Sequence, residues 1–136
     1  IDPTSLKPIG DILWVDQEQV NQALNKAQKW DSPVPERAAI LRKVANLYEA
    51  DFGPIFALLA REAGKTLPDA LGELREAVDF LRYYADQSAH LVAPPMGIFA
   101  AISPWNFPLA IFTGQIAAAL AAGNGVVAKT APPKLR

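Results

Sequence analysis

The sequence contains no cysteine and only one histidine, and these absences exclude several kinds of site. Without cysteine, the 136 residues can form no disulfide, no thiolate metal site and no thiolate nucleophile of their own. His90 has no visible ligand partners, so we expect a surface histidine and no metal site. A net charge of −1 with 20% charged residues gives no indication of a nucleic-acid or anionic-membrane partner.

A targeting signal and a membrane span are also missing from the sequence. Ile1-Asp2-Pro3 has neither the basic start nor the apolar run of a signal peptide, so we expect a cytoplasmic location. The most apolar stretch lies between Pro108 and Gly123, and a transmembrane helix needs roughly 18 or more uninterrupted apolar residues. We therefore predict no transmembrane segment. Ile1 is not a natural start residue, which predicts a fragment or a processed product.

The first third of the chain predicts an arm and two helices. Residues 1–14 are proline-punctuated and are expected to form a linker or arm, whereas residues 15–136 form one domain or part of one. Asp16 and Gln19 predict a capping box for a helix that runs to about Trp30. In a second helix, Arg37 is placed on the solvent side, opposite an apolar face made of Ile40, Leu41, Val44, Leu47 and Tyr48.

Two further helices are predicted between residues 55 and 87. The third helix runs from Ile55 to Ala63 with Gly64 in the C′ position, and Thr66 caps a fourth helix that ends near Gln87. The fourth helix carries an apolar stripe that we assign to core packing, made of Leu67, Leu71, Leu74, Val78, Leu81 and Ala85. The Gly-Lys-Thr of residues 64–66 is not a phosphate-binding loop, because Leu59 occupies the position of its first glycine.

The last third of the chain predicts a β-α-β unit. Ile98 to Ile102 and Gly125 to Lys129 are short apolar runs typical of buried parallel strands. Between them, the proline-containing motif SPWNFP (residues 103–108) leads into a helix from Pro108 to about Ala122, ended by Gly123-Asn124. This helix is apolar on nearly every side and is expected to be buried all round.

A sheet of two parallel strands cannot cover its own faces and edges, since parallel sheets are normally buried and contain several strands. We therefore expect an apparently truncated α/β architecture, with a helical layer followed by the first β-α-β unit of a parallel Rossmann-like sheet. Either the rest of a longer chain or self-association has to cover the apolar surface.

Asn106 is the sharpest candidate for chemistry. It lies in the loop after the first strand, where open α/β sheets place their ligand sites. Its side-chain amide could donate to an oxygen that becomes negative during attack on a carbonyl. Alternatively, Asn106 is a turn residue whose side chain bonds its own backbone.

Four segments in order resemble the aldehyde dehydrogenase superfamily. The run ISPWNFPLAIFTGQIAAALAAGN, with GN-x-V-x-AK at its end, is most similar to the pyrroline-5-carboxylate dehydrogenase module of bacterial proline utilisation A. Upstream, PERAAILRKVANLYE, LAREAGKT and ELREAVDFLRYYA resemble the helical segments of the same module. The resemblance covers residues 15–129 and implies the aldehyde dehydrogenase fold, with an NAD-binding domain.

The resemblance also implies roles for individual residues. Asn106 matches the asparagine that stabilises the oxyanion, and Lys129 matches the lysine that hydrogen-bonds the adenosine ribose of NAD. The nicotinamide-ribose side of the cleft is matched by Ile102, Ser103, Pro104 and Trp105. Phe107 could wall the aldehyde tunnel, and Glu76 could lie near its mouth or simply on a solvated face. The family usually continues Lys-Pro-Ala-Glu, whereas this chain has Lys-Thr-Ala-Pro at 129–132, and the final proline cannot share the ribose.

By resemblance, the parent protein is an NAD-dependent dehydrogenase that oxidises L-glutamate γ-semialdehyde to L-glutamate in proline catabolism. FAD is expected only if the parent also carries a proline dehydrogenase domain, and the parent is expected to be a homo-oligomer. The family's catalytic cysteine and general-base glutamate lie downstream of Lys129, so this chain alone is expected to be inactive. The alternative is a non-catalytic helical interaction module, which the lack of cysteine and the altered 129–132 segment favour.

Overall fold

The computed structural model describes residues 2, 4–11 and 13–131, and within them a helical layer precedes a β-α-β unit. The elements in chain order are α1 (Gln17–Lys26), α2 (Val34–Ala50), α3 (Phe52–Ala63), α4 (Leu67–Gln87), a 3₁₀ turn (Ser88–His90), β1 (Ile98–Ile102), α5 (Ala110–Ala121) and β2 (Gly125–Lys129). The two strands are parallel. The predicted α/β class and both strand boundaries are confirmed. No described helix is both long and apolar enough to cross a bilayer.

The first helix is capped as predicted but ends earlier. The Gln19 amide donates to Asp16, and the Asp16 amide donates to the Gln19 side chain, which completes the capping box. The helix ends at Lys26 rather than near Trp30, because Ala27 adopts an extended conformation. The Trp30 amide instead donates to the carbonyl of Gly123, which ties this segment to the end of α5. No residue of α1 is buried, so the apolar face of this helix is exposed.

The buried face of α2 differs from the predicted one. Ile40 and Leu47 are about half exposed, whereas the small side chains Ala38 and Ala45 are buried with Leu41. Arg37, which was predicted on the solvent side, is also buried. Its Nε donates to the carbonyl of Ala121 at 3.2 Å, and its guanidinium also donates to the carbonyl of Ser32. Periodicity could not reveal the burial of Arg37, because the acceptor that permits it is a C-terminal carbonyl of another helix, which only tertiary packing brings close.

The connection between α3 and α4 is the predicted pair of caps. α3 begins at Phe52, three residues before the predicted start, and ends at Ala63, followed by the cap residue Gly64, whose φ of 68° is left-handed. The Thr66 hydroxyl accepts from the Asp69 amide at the start of α4. Of the predicted apolar stripe, four members are buried, while Leu67 and Leu71 are exposed near the N-terminal end of the helix.

The α5 helix begins at Ala110 rather than at Pro108, which lies in the preceding turn. It is not buried all round: its small residues face the core, Gln115 is exposed, and the larger Ile111, Phe112, Ile116 and Leu120 are only half-buried. The buried side chains of α5 are small because this helix lies close to α4: a Cβ on Gly114 would be only 2.8 Å from the Phe80 ring.

The core lies between α2, α4 and α5, while the sheet is more open. The buried members of this core are Ala38, Leu41, Ala45, Leu74, Val78, Leu81, Ala85, Ala117 and Ala121. On β1, by contrast, Ile98, Phe99 and Ile102 are each at least 40% exposed. The turn after α5 is closed by Asn124, whose amide donates to the carbonyl of Ala119 and whose oxygen accepts from the Gly97 amide. The helical side of this unit is therefore packed, whereas its strands retain open apolar surface.

Candidate functional site

The loop of residues 103–109 connects the end of β1 to the start of α5. Pro104 and Pro108 have no amide proton and restrict the backbone, so the loop cannot continue the strand pairing. At its beginning, the Ser103 amide donates to the carbonyl of Lys129 at 3.0 Å. At its end, the amides of Leu109 and Ala110 donate to Oε1 of Glu73, at 2.8 and 3.3 Å. The loop is thus anchored to the sheet at one end and to α4 at the other.

Strand register brings several cofactor-site candidates together. Ile102 is paired with Lys129, so both lie at the carboxyl ends of adjacent parallel strands. Ile102 is 62% exposed, and Lys129 is exposed with no side-chain partner among the described residues. Ser103 is buried, and its hydroxyl donates to the carbonyl of Pro104. Pro132, which stands where the resembled family usually has a glutamate, lies outside the described residues.

The side chain of Asn106 lies exposed in this loop. Within the part of the chain that the structure describes, its side-chain amide forms no hydrogen bond, either to its own backbone or to another residue. The geometry expected of a turn asparagine bonding its own backbone is therefore not observed. Trp105, the preceding residue, is also more than half exposed.

Phe107 contacts a charged pair that sequence reasoning missed. The ammonium of Lys65 lies 4.1 Å from the centroid of the Phe107 ring and 3.0 Å from Oε2 of Glu73. The Glu73 side chain is fully buried, and that of Lys65 is 14% exposed. No described donor meets hydrogen-bond geometry at Oε2, so we regard the Lys65 contact as ionic rather than as a directed hydrogen bond.

A signal for Glu73 was present in the sequence. Glu73 lies three residues after Ala70 and four before Ala77, both of which are buried, so it occupies the core face of α4. A carboxylate on a core face requires a partner, because burying an unpaired charge is costly. The partners themselves could not be inferred, since Lys65 lies in the connection before α4, and Leu109 and Ala110 lie at the start of α5.

Glu76, by contrast, is exposed on α4. It lines an open groove formed by Gly72, Arg75, Glu76, Asp79, Phe80 and Tyr83, and no residue of the 103–109 loop lines this groove. The structure therefore does not bring Glu76 together with the other candidates.

A second, more enclosed groove is mainly apolar and also lies apart from the loop. It is lined by Leu91, Ala93, Pro94, Met96, Phe99, Ala100, Ala101, Gln115, Ala118, Ala119, Ala122 and Asn124. We place the candidate site at the loop and the neighbouring end of β2, because the polar side chains suited to carbonyl and ribose chemistry, Asn106 and Lys129, lie there. Across residues 2, 4–11 and 13–131, no cluster of three histidine or acidic side chains could hold a metal ion.

The chain matches the aldehyde dehydrogenase family model over residues 1–134. It is 53% identical over 120 residues to the bifunctional protein PutA of Escherichia coli strain K12, with 85% of this chain and 9% of that protein covered. It is 35% identical over 144 residues to 1-pyrroline-5-carboxylate dehydrogenase 1 of Halalkalibacterium halodurans, with 90% of this chain and 28% of that protein covered.

A solved structure has the same arrangement of elements. Glyceraldehyde-3-phosphate dehydrogenase GapN from Methanocaldococcus jannaschii, complexed with NADP, superposes with a TM-score of 0.90 at 26% identity. The match covers 96% of this chain and 33% of that one. The helical layer and β-α-β unit thus correspond to an N-terminal part of the aldehyde dehydrogenase fold, and the chain spans only a minor part of each of these relatives. The chain belongs to the aldehyde dehydrogenase family.

Proposed function

We propose that this chain is part of an NAD-dependent dehydrogenase that oxidises L-glutamate γ-semialdehyde to L-glutamate. The observation that carries the proposal is the state of Asn106, an exposed side-chain amide without a hydrogen bond in the described chain, held in a loop anchored at both ends. The named relatives support the substrate class, because one is a pyrroline-5-carboxylate dehydrogenase and another is PutA. A cytoplasmic location and a homo-oligomeric parent belong to the same proposal.

In this proposal Asn106 stabilises charge. When a nucleophile attacks the aldehyde, the carbonyl oxygen becomes an oxyanion, and a preorganised amide N–H that donates to it lowers the barrier. The nucleophile would come from another part of the polypeptide, since these residues include no cysteine. Phe107 would border the aldehyde from the adjacent position in the loop.

The same proposal assigns a dinucleotide cofactor to Lys129 and to residues 102–105. The Lys129 ammonium is exposed at the sheet edge beside Ile102 and is available to donate to ribose hydroxyls. Ile102, Ser103, Pro104 and Trp105 would border the nicotinamide-ribose side, largely through their backbone. NAD, when bound, supplies the hydride acceptor of the oxidation. The GapN structure contains NADP, which supports a nicotinamide dinucleotide as the cofactor class.

The test compares wild type, Asn106→Ala and Asn25→Ala in the complete protein that contains this chain. Asn25 is an exposed asparagine on α1 and serves as the matched control. We expect Asn106→Ala to lower kcat for glutamate semialdehyde by about 10²–10³-fold, as removal of one oxyanion donor does elsewhere. Asn25→Ala should retain the wild-type rate. An unchanged rate in Asn106→Ala would contradict its role, and wild-type protein that reduces no NAD with this aldehyde would contradict the proposed function.

The alternative, a non-catalytic interaction module, is favoured by the open apolar surface of α1 and β1. Sedimentation and the intact mass of the natural protein distinguish the two functions. A defined complex with a partner and no dehydrogenase activity would favour the module.

A further inference from the structure

We propose that the Glu73–Lys65 pair is a positioning device that fixes the loop bearing Asn106. The inference rests on the proposed function for its catalytic consequence, whereas its structural content concerns only how the loop is held. Neither Glu73 nor Lys65 is placed in contact with substrate or cofactor, so both would act through the loop.

Glu73 fixes the end of the loop. Its Oε1 accepts from the amides of Leu109 and Ala110, where α5 begins, and Leu109 itself supplies no side-chain cap. These amides belong to the group that a helix leaves unpaired at its N-terminus, and a carboxylate there is also favoured by the helix dipole. A carboxylate from α4 therefore replaces the local cap that the sequence does not provide.

Lys65 extends this anchor into the loop. Its ammonium lies between Oε2 of Glu73 and the ring of Phe107, in a cation–π contact at 4.1 Å. Lys65 lies just beyond the end of α3, and its backbone is itself fixed because its amide donates to the carbonyl of Leu59 within that helix. Phe107 directly follows Asn106, so immobilising the ring restrains the peptide that carries the candidate oxyanion donor.

Burial makes the device sensitive to charge. Removing one member of a buried ion pair leaves the other charge uncompensated, whereas replacing both members is often tolerated. The informative variant in the complete protein is therefore the double substitution Lys65→Met/Glu73→Gln. It neutralises both charges and removes the cation–π contact, but leaves an amide oxygen that can still accept from Leu109 and Ala110. The matched control is Lys43→Met/Glu62→Gln, which makes the same changes at exposed positions on α2 and α3.

The first readout is kinetic. Displacement of a reacting group by about 1 Å can cost about 100-fold, so we expect kcat for the aldehyde to fall about 10- to 100-fold in Lys65→Met/Glu73→Gln. The dissociation constant for NAD should change less than about twofold, because the loss concerns orientation rather than cofactor binding. Adding Asn106→Ala should cause no further loss beyond that of Asn106→Ala alone. A kcat equal to the control's, or losses that multiply with Asn106→Ala, would overturn the positioning role.

The second readout does not depend on activity. Hydrogen–deuterium exchange over residues 103–112 should be faster in Lys65→Met/Glu73→Gln than in the control, while exchange in α2 stays unchanged. If the wild-type protein oxidised no aldehyde, the proposed function would fail and this exchange measurement alone would decide the loop anchor. Equal exchange over residues 103–112 in both variants would overturn it.

Discussion

The backbone amide of Leu109 donates a 2.8 Å hydrogen bond to the buried carboxylate of Glu73, 36 positions earlier in the chain. This bond joins α4 to the start of α5, on the far side of a loop that begins at the sheet. A buried carboxylate on one helix thereby accepts from two of the N-terminal amides of another. We therefore expect the stability of the unit and the position of its candidate loop to depend on the same residue, Glu73.

Glu73→Ala should strongly destabilise this domain. The substitution uncaps two amides and leaves the Lys65 ammonium without its buried partner, for an expected cost of about 3–5 kcal/mol. Chemical denaturation of the complete protein, followed by a probe in this domain, measures the change. Glu62→Ala, at an exposed position of α3, should stay within about 0.5 kcal/mol of wild type. Equal effects of the two variants would show that the buried carboxylate is not a structural requirement.

Gly114→Ala should also destabilise the domain, through crowding. A Cβ at Gly114 would lie 2.8 Å from the Phe80 ring, so α4 and α5 must separate or the ring must move. Overpacking of this kind costs about 1–3 kcal/mol. Gly72→Ala is the matched control, because a Cβ there meets nothing within 4 Å on the exposed side of α4. That control should gain about 0.5–1 kcal/mol from its better helix propensity. A stabilising Gly114→Ala would contradict the close packing of the two helices.

Gly125→Ala should disturb the crossing, by which we mean the place where residues 28–30 contact the end of α5 and the start of β2. A Cβ at Gly125 would overlap the backbone carbonyl of Gln28, which cannot move aside as a side-chain tip can. We expect a loss of about 3 kcal/mol, at the upper end of overpacking costs. Faster hydrogen exchange of the Trp30 amide, which donates to Gly123, would identify the crossing as the part that opens. Gly53→Ala, which meets nothing within 4 Å, should leave this exchange rate unchanged.

Lys129→Met tests the proposed cofactor contact. The loss of a hydrogen bond from a charged donor costs about 1.5–3 kcal/mol, so the dissociation constant for NAD should rise at least about tenfold. Isothermal titration of the complete protein measures it. Because ribose binding is remote from the reacting atoms, kcat at saturating NAD should fall far less than in Asn106→Ala. Lys43→Met, on the exposed side of α2, should bind NAD as wild type does. An unchanged affinity in Lys129→Met would remove the lysine from the cofactor site.

Much of the local structure could be predicted because its causes lie within a few residues. The capping box of Asp16 and Gln19, the left-handed Gly64 and the Thr66 cap each act over one helical turn, and all three are confirmed. The strands could be predicted equally well, because short apolar runs bounded by proline and glycine are compatible with few structures other than a buried strand.

The predictions about α2 were wrong because contacts with distant elements determine which of its faces is buried. In α2, packing against α4 and α5 buries the small side chains of Ala38 and Ala45 and leaves the larger Ile40 and Leu47 half exposed. Arg37 is buried there because its guanidinium reaches the carbonyl of Ala121. Periodicity reports that a helix has an apolar side, but it does not report the size of the neighbour that will cover it.

The sequence alone determined the α/β class, the parallel strand pair, the family resemblance and the motif that carries Asn106. Each of these follows from residue types and short-range spacing, both of which can be read directly from the sequence. Only the tertiary structure decided that Glu73 accepts from Leu109 directly after that motif, that Lys65 contacts Phe107 within it, and that Ile102 lies beside Lys129. The physical reason is that a buried charge shows only a need for partners, and the partners are chosen by the packing of helices and by the register of strands.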